Sequence, residues 1–294
     1  MKVLVLCHPD IPGKAIQPFK KLISDVEWHT NLNFAEGVEA ALIFGGDGTV
    51  HRNLSELSKY KIPTLVVPSG SGNDFAKAIG IGNATIALET WKRFCTKGEN
   101  TREIDLGLVR SSTGSETLFC SVAAIGMDAE ANRLANAMPS WLRRRGGYIV
   151  AALCALASFK VRKFNMMAEV PNKREEAAPR VERHLIRRSG FFAAVGQTQR
   201  YGGGLKIAPL AELTDGFLDL CFVGKMNKTK MLLALPSLYF GTHLRLAQVE
   251  HLRSSHLSVA TEPPLKVYAD GEYICQTPVE VMVQPGALRI IVPC

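Results

Sequence analysis

Asp47 lies within Gly45-Gly46-Asp47-Gly48-Thr49, directly after the apolar run 40–44. Glycines let a backbone turn sharply and approach a ligand closely. Their N–H groups, with those opening a following helix, suit a bound phosphate. A carboxylate at that point either faces a metal ion or takes a proton. An Asp-Gly pair after a strand can also be an ordinary turn. A second segment has the same character. Pro68-Ser69-Gly70-Ser71-Gly72-Asn73-Asp74 follows the apolar run 62–67 and leads into a helix expected over 74–79, closed by Gly80. Ser71 and Asn73 can donate to phosphate or ribose, and Asn73-Asp74 can equally cap the helix. Two further acids stand in turn-like settings, Asp215-Gly216 and Asp270-Gly271-Glu272. Phosphoryl transfer needs a phosphate cradle, a metal to neutralise charge and a base for the attacking hydroxyl. The cradle here would be Gly45, Gly46, Asp47, Gly48 and Thr49 together with Gly70, Ser71 and Asn73. Neither a Walker A motif nor the protein-kinase catalytic and metal-binding triplets occur.

The elements that must position these residues fall into two groups. Over residues 1–104, strands at 3–6, 41–44 and 64–67 alternate with helices at 16–24, 50–59, 74–79 and 85–95. Alternation of this kind makes a parallel sheet flanked by helices. Both glycine-rich turns then emerge at the carboxyl edge, where ligands bind. From residue 102 short alternating runs take over: 103–109, 117–124, 165–170, 190–195, 217–223, 257–260, 265–268, 279–283 and 288–292. They suggest an antiparallel sandwich, interrupted by a helical insertion at 128–159. The charged stretch 172–188 reads as a surface hairpin loop.

Length, charge and cysteines bound the rest. A chain of 294 residues can form one large or two ordinary domains. A net charge of +8 favours anionic partners. No groove-reading motif points to nucleic acid. Seven scattered cysteines read as reduced thiols of a cytoplasmic protein, and the amino terminus reads as a strand, not a signal peptide. The apolar stretches 148–159 and 231–240 are too short to span a bilayer and read as core helices. Trp141-Leu142-Arg143-Arg144-Arg145 is either a solvated helix end or a dock for anionic lipid. Gly202-Gly203-Gly204 with Lys206 could approach a phosphate or simply permit a bulge. Pattern leaves a homodimer open.

Taken in order, these segments resemble the diacylglycerol kinase catalytic family. GGDGTV at 45–50 and PSGSGNDFA at 68–76 match its paired nucleotide motifs, although the first is shared with NAD kinases. Ile104-Asp105-Leu106-Gly107, Ala124-Ile125-Gly126-Met127-Asp128-Ala129, the run 201–209 with Asp215-Gly216-Phe217, and Asp270-Gly271-Glu272 follow. His51-Arg52 stand where many relatives carry Asn-Glu. The resemblance implies an α/β ATP-binding domain of the NAD kinase/diacylglycerol kinase type over 1–104. A β-sandwich domain over 105–294 would follow, with the active site in the cleft between them. It implies Glu272 as general base for a lipid hydroxyl, with Asp47 holding magnesium-ATP or sharing in proton transfer. It implies a structural magnesium ion bound by the Asp215 carboxylate and backbone oxygens near Glu212 and Phe217, where Asp215 could otherwise only form the turn. The expected substrates are ATP and a diacylglycerol-like or sphingoid membrane lipid, met peripherally at the anionic inner face of the membrane. An NAD kinase-like soluble kinase and a non-catalytic lipid- or nucleotide-binding homologue are the alternatives.

Overall fold

A computed structural model describes the chain except residues 8–10, 12, 23–25, 31–36, 71, 140–146, 172–180 and 294. Ser71, the basic cluster 141–145 and the first part of the charged stretch 172–188 lie outside the described residues.

The amino-terminal part is a parallel sheet in the order β4-β3-β1-β2. Its strands are β1 (Lys2–Cys7), β2 (Glu27–His29), β3 (Ala40–Gly45) and β4 (Thr64–Pro68). Every residue of β3 is buried, as expected for a strand covered on both faces. The helices are α1 (Gln17–Lys20), α2 (Asp47–Lys59), α3 (Asp74–Ala78) and α4 (Ala84–Lys97). Among the described residues, the helix expected over 16–24 is realised as the single turn α1. Helix α2 begins at Asp47, three residues before the expected start. Gly46 takes the extended N-cap backbone, and its carbonyl accepts from the N–H groups of Thr49 and Val50 at 2.9 and 3.2 Å. Thr49, Val50, Leu54 and Leu57 bury one stripe of this helix.

The remainder is antiparallel. It contains β5 (Thr101–Ser111), β6 (Glu116–Phe119), β7 (Val122–Gly126), β8 (Arg162–Pro171) and β9 (Val181–Gly196). The strands β10 (Leu218–Gly224), β11 (Val249–Ser254), β12 (His256–Glu262), β13 (Lys266–Ala269), β14 (Glu272–Gln276) and β15 (Val279–Ile291) complete it. The run 117–124 splits into β6 and β7 because the N–H groups of Cys120 and Ser121 turn to the Asp270 carboxylate. The runs 279–283 and 288–292 fuse into β15, which pairs with β5 through a register shift between Gln284 and Leu288. The far end of β15 meets β4 in parallel at Ile290 and Thr64. Hydrogen bonding therefore continues from one sheet into the other. The first core correspondingly includes Ala287, Leu288, Ile290 and Ile291 as well as Val3, Phe44, Phe75 and Trp91.

The expected insertion holds α5 (Met127–Asn136) and α6 (Tyr148–Ser158). A further helix, α7 (Lys228–Phe240), covers the second apolar stretch. The core placement expected for that stretch is not observed. Helix α7 buries Met231 alone, and Leu232, Leu233, Tyr239 and Phe240 are exposed. Its apolar residues are spread around the helix, so they cannot all face one core. No helix among the described residues is long and apolar enough to cross a membrane.

Candidate active site

The two glycine-rich turns meet back to back at the carboxyl ends of β3 and β4. A Cβ on Gly70 would lie 2.5 Å from the Gly46 Cα, so any larger side chain would force the turns apart. Ser69 N–H donates to the Gly45 carbonyl at 3.0 Å, extending the strand pairing into the turn. Asn73 closes the second turn on itself. Its Oδ1 accepts from Gly70 N–H at 2.8 Å, and its Nδ2 donates to the Gly70 carbonyl at 2.9 Å. It adopts a left-handed backbone, φ 53°, at the N-cap position of α3, where its carbonyl accepts from Lys77 N–H but its side chain makes no capping bond. The alternative in which its side chain caps this helix is not realised.

Asp47 supplies the cap instead. Its Oδ1 accepts from Phe75 N–H at 3.0 Å and its Oδ2 from Asp74 N–H at 3.2 Å. The carboxylate of the first motif thus sits on the amino end of the helix that the second motif opens, where a helix favours negative charge. Burial lifts the Asp47 carboxyl to about 6. The Phe75 and Asp74 N–H groups oppose the rise, and the charges of Asp74 and Asp270 add to it. A carboxyl at that value is mostly ionised at neutral pH yet basic enough to accept a proton. Asp74 is buried as well. Its Oδ2 accepts from Gly203 N–H at 2.8 Å, and no protein hydrogen bond reaches its Oδ1. The glycine turn at 202–204 therefore docks against the acidic cluster, and Tyr201 and Leu205 bridge its base.

Asp270-Gly271 forms the expected two-residue hairpin between β13 and β14. Both residues have positive φ, 50° and 88°, the primed geometry that Asp-Gly favours. The same turn is also a hub. The fully buried Asp270 carboxylate accepts from the N–H groups of Cys120, Ser121 and Val122 at 2.9, 2.8 and 3.3 Å. It also pairs with His51 Nδ1 at 3.0 Å. Asn136 Nδ2, at the end of α5, donates to the Gly271 carbonyl at 2.6 Å. Held in this way, Glu272 faces the first turn: a Cβ on Gly48 would lie 3.0 Å from its Oε1. A carboxylate carried by the antiparallel part is thereby brought against the first glycine-rich turn of the parallel part.

His51 comes from α2 and joins the two parts. Burial pulls its pKa down, but the hydrogen bond to Asp270, with the charges of Asp270 and Glu272, carries it above the ordinary histidine value. Only the sequence departure at position 51 marked this residue in advance. Asp74 and Asp270 lay inside motifs and were expected only to cap a helix and to form a turn. Their partners at 203, 51 and 120–122 are far away in sequence, and no local pattern reports such contacts.

The loop from Glu212 to Phe217 lies elsewhere and is organised around Asp105. Asp105 Oδ2 accepts from Gly216 N–H at 2.7 Å, and its Oδ1 from Gly286 N–H at 2.8 Å. Asp215 Oδ1 accepts from Phe217 N–H at 2.9 Å, while Oδ2 pairs with Arg253. The Glu212 carbonyl accepts a long bond, 3.4 Å, from Gln197 Nε2. The Arg253 guanidinium also lies over the Phe217 ring at 5.0 Å. This arrangement does not fit the expected magnesium ion. Both oxygens of the Asp215 carboxylate are engaged, Oδ1 by the Phe217 N–H and Oδ2 by Arg253. Among the described residues there is also no group of three or more His, Cys, Asp or Glu side chains placed to hold a metal.

Comparison with known proteins places this geometry. Residues 25–109 match the diacylglycerol kinase catalytic domain, and residues 121–292 match the YegS C-terminal NAD kinase beta sandwich-like domain. The chain is 32% identical over 265 residues to a diacylglycerol kinase of Mycobacterium tuberculosis, covering 88% of this chain and 78% of that one. It is 26% identical over 254 residues to a diacylglycerol kinase of Bacillus subtilis, covering 85% and 76%. A crystal structure of a Bacillus anthracis diacylglycerol kinase superposes with a TM-score of 0.68 at 16% identity, over 99% of this chain and 97% of that one. The fold extends to an Archaeoglobus fulgidus NAD kinase solved in complex with ATP, TM-score 0.53 at 14% identity, over 99% and 93%. Two family models in order, and a relative at 32% identity over most of both chains, establish that this chain belongs to the diacylglycerol kinase family of lipid kinases.

Proposed function

We propose that this protein transfers the γ-phosphoryl group of ATP to the hydroxyl of a diacylglycerol-like or sphingoid lipid. Residues 1–104 would serve as the nucleotide domain and 105–294 as the lipid domain. The observation that carries the reading is Glu272 facing Gly48 across the junction. A carboxylate and a phosphate cradle from different parts of the chain point at one space.

In this reading Gly45, Gly46, Gly48, Thr49, Gly70, Ser71 and Asn73 surround the phosphates of ATP, with free N–H groups at the start of α2 available to them. Magnesium arrives as part of the nucleotide substrate. Glu272 takes the proton of the lipid hydroxyl as its oxygen bonds to the γ-phosphorus. The bond from that phosphorus to the bridging oxygen breaks, and ADP leaves with the electron pair. Asp47 fixes α3 against α2 and, at a pKa of about 6, is the second carboxylate able to hold that proton.

The test is radiolabelled ATP turnover over a panel of diacylglycerols, sphingoid bases and NAD. Label in a diacylglycerol or sphingoid product supports the proposal. Label in NAD alone would transfer the assignment to the soluble kinases that share the first motif.

A further inference from the structure

We infer that the outer face of α6 and α7 is the surface through which this protein docks on an anionic lipid bilayer. The inference rests on the lipid-kinase reading and assigns its membrane contact to particular residues. The exposed positions of α7 are 228, 229, 230, 232, 233, 236, 239 and 240; beyond the two lysines of its first turn, 229, 232, 233, 236, 239 and 240 form a continuous stripe three to four residues apart. Apart from Thr229, the stripe is apolar. Leu233 and Phe240, about two turns apart on it, are 76% and 75% exposed, more than any other large hydrophobic among the described residues. Helix α6 packs beside α7 and is tied to it where Lys228 Nζ donates to the Ala157 carbonyl at 2.7 Å. It contributes a second exposed apolar stripe, including Val150 and Leu153.

Charge around these stripes selects the partner. Residues 147–163 and 224–249 contain Lys160, Arg162, Lys163, Lys225, Lys228, Lys230 and Arg245 and no Asp or Glu. Of these, Lys163 is paired with Glu262, and Lys160 and Arg162 line one depression with Glu130. An apolar face whose remaining rim, on and around α7, is basic matches the boundary between headgroups and acyl chains of an anionic membrane. A protein partner would leave the basic rim unanswered unless it were itself acidic. The opposite face of α7 strengthens the choice. Met231, Ala234, Leu235 and Leu238 roof an apolar cavity walled by Met127 and Phe192, with Asp128 and Tyr201 among its lining. Tyr201 hydrogen-bonds Asp128 and begins the glycine turn whose Gly203 meets Asp74. One helix thus separates the exposed apolar face from an apolar cavity whose lining continues to the candidate active site.

The test uses the full chain and vesicles of phosphatidylcholine with or without phosphatidylglycerol. Wild type should sediment with the anionic vesicles. Leu233→Ser/Phe240→Ser should reduce that binding about tenfold or more. Lys225→Gln/Lys230→Gln should reduce it at low salt only. Neither variant touches the site, so turnover of detergent-dispersed lipid should be unchanged. If the serine variant misfolds, Leu233→Trp serves. Its emission should shift blue with anionic vesicles and be quenched by brominated lipid. Equal sedimentation of wild type and folded serine variant, or no change in Leu233→Trp emission, overturns the docking face. A wild-type dimer that the serine variant splits into monomers, with unchanged vesicle binding, also overturns it and assigns the face to a second copy. The two readings fail separately: Leu233-dependent vesicle binding without lipid phosphorylation would retain docking and remove the kinase reading.

Discussion

In the proposed reaction Glu272 and Asp47 share the proton chemistry, and substitution separates them. Glu272→Gln keeps shape and hydrogen bonding but removes basicity. General-base catalysis contributes about 10²–10⁴-fold, so kcat for lipid phosphorylation should fall by about two orders of magnitude or more. ATP affinity should hold, because the cradle belongs to β3 and β4. Near-wild-type kcat in a folded variant would transfer the base role to Asp47. Asp47 carries a second consequence, for stability. Its carboxyl is raised from 3.8 to about 6 in the fold. The folded state therefore binds this proton more tightly than the unfolded chain does. Stability is greatest below the unfolded value and declines as pH rises through about 6. The shift corresponds to about 3 kcal/mol over that window. His51 acts in the same direction at higher pH. Its raised pKa means its ion pair with Asp270 is lost as pH rises above the ordinary histidine range. Urea unfolding across pH 4–8 should show falling stability in wild type, and Asp47→Ala should flatten the acid half of the curve. An unchanged slope in that variant would remove Asp47 as its source. For His51→Asn we expect a lower kcat with an unchanged KM for ATP, and a flattening of the high-pH half of the stability curve. A KM effect alone would place His51 in nucleotide binding.

At the scale of elements, the informative loops are the ones whose charges are internally matched. The Glu212–Phe217 segment is fastened by Asp105 at two backbone N–H groups and by the Asp215–Arg253 pair. Arg253 is partly exposed, so the pair should contribute only about 1 kcal/mol. Arg253→Gln should lower Tm by about 2 °C. Chelation of divalent ions should leave the wild-type Tm unchanged. A Tm that falls on chelation in wild type would restore a metal to this loop. The elements also show where sequence reading reached its limit. Helix α2 was legible in its stripe of Val50, Leu54 and Leu57 but not in its start, because Gly46 as N-cap is a backbone event. Strand β11 left no signal, being only partly buried along most of its length, so no clean alternation marks it. Helix α7 was recognised as apolar and assigned to the core. Apolarity states the cost of exposure to water, but not whether protein or lipid removes it.

At the scale of the whole molecule, the chain returns to its beginning. Ala287, Leu288, Ile290 and Ile291 pack in the first core, and Ile290 pairs beside Thr64. A fragment of residues 1–104 therefore lacks part of its own core. We expect it to be largely unfolded by circular dichroism, and a fusion that appends 285–294 to recover cooperative unfolding. Cooperative folding of 1–104 alone would show the carboxyl-terminal strand to be dispensable there. Sequence by itself determined the parallel and antiparallel halves, the two glycine-rich turns and the turn carrying Glu272. Each depends on residues within a few positions: periodicity, glycine where backbones approach, Asp-Gly where two positive φ values occur in succession. The tertiary structure decided the rest. It alone placed Asp47 on the Phe75 N–H, His51 on Asp270, Gly203 on Asp74, Arg253 on Asp215, and Glu272 opposite Gly48. Their partners lie from 28 to 224 residues apart in the chain. The burial that sets their charges exists only once both sheets have formed.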